Sequence, residues 1–183
     1  MVNKLIGLRL THKIIQKLET IAHNNNQSIN YVAKNAITEW VEIFSRTRQQ
    51  GMMILGRPFI INLLDLVEDE NLKTIAITAA DRKIDLFQFV LGKHLNRETL
   101  DEFIKQAPKI LGKKGLMWFD HIEVIKEKNS VHFKCVHNIG EKWSKFFTLV
   151  LDHIMEKRFD MELIKESARY SKKALYLEYS AVN

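Results

Sequence analysis

A single cysteine, Cys135, excludes an intramolecular disulfide framework and a four-cysteine zinc site, and makes a reducing home the simpler expectation. With only two prolines and seven glycines in 183 residues, the chain has no low-complexity tract, no internal repeat and no phosphate-cradling glycine loop. It also lacks a serine nucleophile elbow and an HExxH pattern, and Asp120 and Glu123 have opposite strand parity, so no enzyme is expected. No uninterrupted apolar run approaches the roughly 18 to 20 residues that span a membrane, and the opening MVNKLIGLRLTHK has no long apolar signal core. A soluble, cytoplasmic protein without a membrane partner is the expectation.

What is present is ordinary globular composition, 46% hydrophobic and 27% charged. Lys plus Arg outnumber Asp plus Glu by 28 to 22, a net +6 that permits contact with nucleic acid. Much of the excess lies in front, since residues 1–50 hold seven basic and three acidic side chains.

Along the chain, Ile6, Leu8 and Leu10 alternate with the period of a half-buried strand. Thr11 is placed to cap a helix whose broad apolar face carries Ile14, Ile15, Leu18, Ile21 and Ala22. The run His23 to Asn26 closes it, because asparagine tolerates the left-handed backbone. Ser28 caps a second helix, SINYVAKNAITEWVEIF, with apolar residues from Ile29 to Phe44 at spacings of three and four. One strand and two short helices cannot bury two such faces alone, so a partner copy is implied.

This order resembles the ribbon-helix-helix family of Arc- and Met-repressor-type regulators over about a quarter of the chain. The resemblance implies an intertwined dimer whose N-terminal strands pair as a ribbon in the major groove of double-stranded DNA. Ile6, Leu8 and Leu10 would then face the dimer core, and Asn3, Leu5, Gly7 and Arg9 the DNA. Arg9 is the best base reader, because a guanidinium donates twice to guanine; Asn3 is suited to adenine and Leu5 to a thymine methyl. Gly7 has no side chain where the family presents a polar one. The implied phosphate clamp is the N-terminus of the second helix at Ser28, Ile29 and Asn30, with Lys4, Thr11, His12, Lys13 and Lys34 adding backbone contacts.

The domains expected are a ribbon-helix-helix module over 1–46, a linker over 47–57 and an α+β domain over 58–183. Pro58 opens a helix with Phe59, Ile60, Leu63, Leu64 and Val67. A strand is expected through Leu72, Ile75 and Ile77, then helices over 82–92 and 97–111. GKKG at 112–115 makes a turn before two strands, MWFDHIEVI and SVHFKCVH, joined by KEKN. After Gly140 comes a helix with Trp143, Phe146, Phe147, Val150, Leu151 and Ile154, then a strand over 174–179. The fold class is therefore α+β with an antiparallel sheet, in a ferredoxin-like, split βαβ order.

In outline this resembles nickel-responsive regulators, whose second domain assembles a tetramer and binds metal. His121, Cys135, His137 and His153 are the candidate ligands of a transition metal, against the bland alternative of a buried core thiol and scattered histidines. A small-molecule effector near His137, Asn138 and Gly140 is a further candidate, and Trp118, Trp143 and Tyr176 are weighed as pocket linings against simple core packing. The functional expectation is a site-specific DNA-binding repressor or regulator of transcription, acting as a homodimer or tetramer. The alternative is an antitoxin-like or protein-interaction scaffold in which the front module mainly dimerises.

Overall fold

Residues 6–45, 48, 55–113 and 115–182 are described by the computed structural model, in which the chain divides into two units, Met1–Gln50 and Gly51–Asn183. Among the described residues there are six α-helices and a five-stranded antiparallel sheet, a mixed α+β protein.

The front unit holds α1 (His12–Asn24) and α2 (Ile29–Glu39), which pack on each other. The second helix runs on beyond Glu39 as a wider π-helical turn, Trp40–Phe44. Residues 6–10 are in no strand in the single chain, and Lys4 and Leu5 lie outside the described residues. A ribbon needs a second strand, which one copy does not contain.

The rear unit begins with α3 (Arg57–Leu66), which has Pro58 in its first turn, where a missing N–H has no helical partner to lose. Next comes α4 (Asp69–Leu91), with Asp69 and Glu70 at the positive end of its dipole and Gly92 closing it at φ 66°. This helix overturns the expected strand at Leu72, Ile75 and Ile77 and absorbs the helix expected over 82–92. Leu72, Ala76, Ala80, Ile84 and Phe87 recur at helical spacing and are all buried, whereas Ile75 is 45% exposed. The small alanines let the α4 backbone approach its neighbours, so tertiary packing outweighs the β-branched run.

An Asn96–Thr99 capping box leads into α5 (Leu100–Leu111). Gly112 and Gly115 then allow the chain to fold back on the helix end: a Cβ on Gly115 would lie 2.0 Å from the Ile110 carbonyl oxygen. The strands are β1 (His121–Lys126), β2 (Ser130–Val136), β3 (Met161–Leu163), β4 (Arg169–Tyr170) and β5 (Ala174–Ala181), with α6 (Glu141–Phe159) between β2 and β3. The sheet order is β1-β2-β5-β3, and β4 also pairs with β5. No strand precedes β1 among the described residues, so the expected ferredoxin-like, split βαβ order is not the one formed. That order needs a strand where α4 is.

Register explains the core. Ile122, Cys135 and Leu175 are paired across β1, β2 and β5, as are Val124, Phe133 and Leu177. This face packs on one continuous core with Phe103, Ala107 and Leu111 of α5 and Phe147, Val150, Leu151 and Ile154 of α6. Glu123, Lys134 and Tyr176 form a row on the other face.

Candidate nucleic-acid interface

In the front unit, Thr11 is extended (φ −67°, ψ 151°), and its carbonyl accepts the N–H groups of Ile14 and Ile15. Its hydroxyl makes no cap bond, contrary to the expected side-chain role. At the other end of α1, the Gln27 N–H donates to the Ala22 carbonyl, and Asn26 takes φ 52°. The expected asparagine closure is therefore made by Asn26, while Asn25 stays at negative φ.

Ser28 is the N-cap of α2: its Oγ accepts the Tyr31 N–H at 3.2 Å. Neither α1 nor α2 has an acidic residue in its first turn, so the positive ends of both dipoles are left uncompensated. Arg9, Thr11, Lys13, Ser28, Asn30 and Lys34 are all exposed; Asn3, Lys4 and Leu5 lie outside the described residues.

The apolar side chains of this unit are also exposed. Ile6, at 74%, is the extreme, and Leu8, Leu10, Ile14, Ile15, Ile21, Ile29, Tyr31, Ile37, Trp40 and Val41 accompany it. Only Ala22 is buried among the described residues of the unit. The Arg48 guanidinium lies over the Trp40 ring, 5.1 Å from its centroid.

The rear unit separates the four proposed metal ligands by role. His121 is exposed on β1. Cys135 is buried on the inner face of β2, and burial pushes its thiol far above the ordinary range, away from the thiolate a metal needs. His153 Nε2 lies 3.2 Å from the Asp81 carboxylate. His137 is buried with both ring nitrogens occupied: Nδ1 accepts the Ile139 N–H at 3.3 Å, and Nε2 lies 2.7 Å from Ser144 Oγ. The Ser144 hydroxyl donates to the Ser171 carbonyl at 2.7 Å, so it accepts from His137. Desolvation lowers the His137 pKa, which agrees with a neutral ring. Among the described residues no three His, Cys, Asp or Glu side chains are gathered to hold a metal ion.

Ser144 and His137 have the separation of a nucleophile and its base, but Ser144 is fully buried and its proton is committed to a backbone carbonyl. The pair fastens β2 to α6 and to the β4–β5 turn. Asn138, named above beside a candidate effector, accepts from Arg57 at 2.9 Å. Arg57 also donates to both Asp120 oxygens, at 3.2 and 2.9 Å, and to the Met117 carbonyl. Trp118 and Trp143 meet edge to face at 5.1 Å within the aromatic core, and Tyr176 bonds His132 on the opposite face of the sheet. The three aromatics therefore do not line one pocket.

Sequence reasoning misses Arg57 and Lys83. Arg57 gives no local signal, because its partners are 60 or more positions away. Lys83 is detectable in principle, as a lysine on the core-facing stripe of α4 once that segment is taken as a helix.

The fold defines a mixed α+β protein in which a two-helix front unit precedes a helix-backed antiparallel sheet. Comparison with protein-family models, curated proteins and solved structures found no match. No helix among the described residues is long and apolar enough to cross a membrane.

Proposed function

We propose that the chain is a site-specific DNA-binding transcriptional regulator that works as a homodimer or tetramer through interlocked front units. The observation that carries this reading is how little of the front unit is buried: among its described residues eleven large apolar side chains are exposed and only Ala22 is buried. Each such side chain is worth about 1.5–3 kcal/mol on full burial, and a segment of this size rarely supports a core alone. A second copy offers the same two helical faces and the same alternating Ile6, Leu8 and Leu10, so the deficit is met by intertwining. The opposite parity then projects Asn3, Leu5 and Arg9 as a base-reading ribbon. The α2 start at Ser28 and Asn30 takes a phosphate, and Lys4, Thr11, Lys13 and Lys34 hold the backbone. The rear unit, with its own core, provides assembly.

Selection of bound fragments from random duplex DNA by the full chain tests the reading. The expected outcome is one palindromic site, with affinity falling linearly on a logarithmic salt scale by about 0.9 per phosphate neutralised. Arg9→Ala is expected to relax discrimination at one base pair by about 1–3 kcal/mol. A dimer with no duplex affinity at low salt would overturn DNA binding and favour the interaction-scaffold alternative.

A further inference from the structure

Two donors of the rear unit are buried beside the Trp118 ring without an acceptor among the described residues. Lys83, on the core-facing side of α4, holds its ammonium 4.2 Å from the centre of that indole, and burial alone moves its pKa, with no carboxylate acting on it. Trp143 of α6 meets the same indole edge to face at 5.1 Å, and its Nε1 is buried with no hydrogen-bond partner. A buried ammonium is costly unless an anion faces it, and an aromatic face returns only part of that cost. Desolvated ionisable groups concentrate at functional sites. Trp118 itself is only half-buried. It follows Met117, whose φ of 55° turns the chain, and the backbone is fixed there: the Trp118 N–H donates to the Leu111 carbonyl at 3.0 Å, and Arg57 holds the Met117 carbonyl. The indole can therefore leave by side-chain rotation alone. The slot it occupies has a further aromatic wall in Phe147, 5.7 Å away between ring centres.

We propose that Trp118 plugs a binding site for a small aryl carboxylate, whose ring takes the place of the indole and whose carboxylate accepts from Lys83 Nζ and Trp143 Nε1. The indole face attracts the ammonium but brings it no counter-charge, whereas a carboxylate neutralises it and satisfies both donors. A single benzene ring fits where the larger indole lies, against Trp143 and Phe147. Exposing Trp118 uses part of the binding energy, so the simplest member of the class binds with a dissociation constant on the order of 1 mM or somewhat below. The site lies within the rear unit and stands whether or not the front unit binds DNA. It also gives a reason for a lysine that costs the fold stability, since a group held ready for a ligand is uncompensated until the ligand arrives.

Calorimetric titration of the full chain with benzoate, benzamide and acetate tests the site. Benzoate is expected to bind saturably, and the other two at least about tenfold more weakly, because one lacks the charge and the other the ring. Lys83→Met is expected to weaken benzoate by about tenfold or more, and Trp118→Ala, with the plug removed, to bind it about tenfold more tightly. Urea unfolding confirms that each variant is folded. In the unmodified chain benzoate, but not acetate, is expected to increase acrylamide quenching of the tryptophan emission as the Trp118 indole reaches solvent, a readout that needs no variant. The proposal is overturned by no saturable benzoate binding up to about 20 mM, by benzamide or acetate binding as tightly as benzoate, or by undiminished binding to Lys83→Met. Quenching that benzoate leaves unchanged, or weaker binding to folded Trp118→Ala, overturns it as well, since Trp118 would then be a wall of the site and not its plug.

Discussion

Lys83 sits on the core-facing side of α4 at 5% exposure, with its ammonium 4.2 Å over the Trp118 ring. Burial pushes its pKa from 10.5 down to about 8. Between those values the unfolded chain still holds the proton that the folded chain has released, so stability rises with pH across that window. Below it the buried charge costs on the order of 3 kcal/mol, of which the aromatic ring returns about 1–2. Lys83→Met is therefore expected to raise stability at pH 7 by about 1–2 kcal/mol, with the gain fading by pH 10. Urea unfolding at the two pH values checks this, and an equal gain at both would overturn the assignment. Elsewhere, strand parity correctly places Cys135 and His137 together on the buried side, with His132 and Lys134 on the other. It cannot reveal that Ser144 and the Ile139 N–H already occupy both nitrogens of His137.

At the scale of elements, amphipathic spacing makes α1, α2, α5 and α6 legible in the sequence alone. The same reasoning fails at α4, because residues 71–78 mix β-branched and small side chains, and only the neighbouring α6 makes Ala76 and Ala80 interior. The short β3 and β4 are invisible for a related reason: each exists only as an edge partner to β5. The outward face of α2 offers the sharpest test at this scale. In a lone chain Ile37 is exposed, so Ile37→Glu should change stability by no more than about 0.5 kcal/mol. Between interlocked copies it would bury a charge, and the expected result is a loss of dimer by a hundredfold or more in dissociation constant. Sedimentation equilibrium distinguishes the two, and an unchanged dimer would argue against interlocking through α2.

For the whole molecule, the contrast between the units matters more than the net charge of +6. Among the described residues, the rear unit holds thirty buried apolar residues in one cluster, while the front unit has Ala22. Stability drawn from a partner depends on protein concentration, and stability drawn from an internal core does not. Calorimetry of the full chain is therefore expected to show two transitions, with the front one moving upward as concentration rises and the rear one nearly fixed. A single transition independent of concentration would mean that the front unit is stable without a partner copy.

By itself the sequence determined which segments are amphipathic, that Ser28 caps one helix and that the asparagine run before it closes another. These follow from neighbours within a turn or a strand, so local spacing suffices. Only the tertiary structure decided that residues 69–91 are one helix, that β5 is flanked by β2, β3 and β4, that Arg57 grips Asp120 and Asn138, and that the four candidate metal ligands are kept apart. Each of those depends on groups far apart in the chain competing for the same space or the same hydrogen bond, which no local pattern encodes.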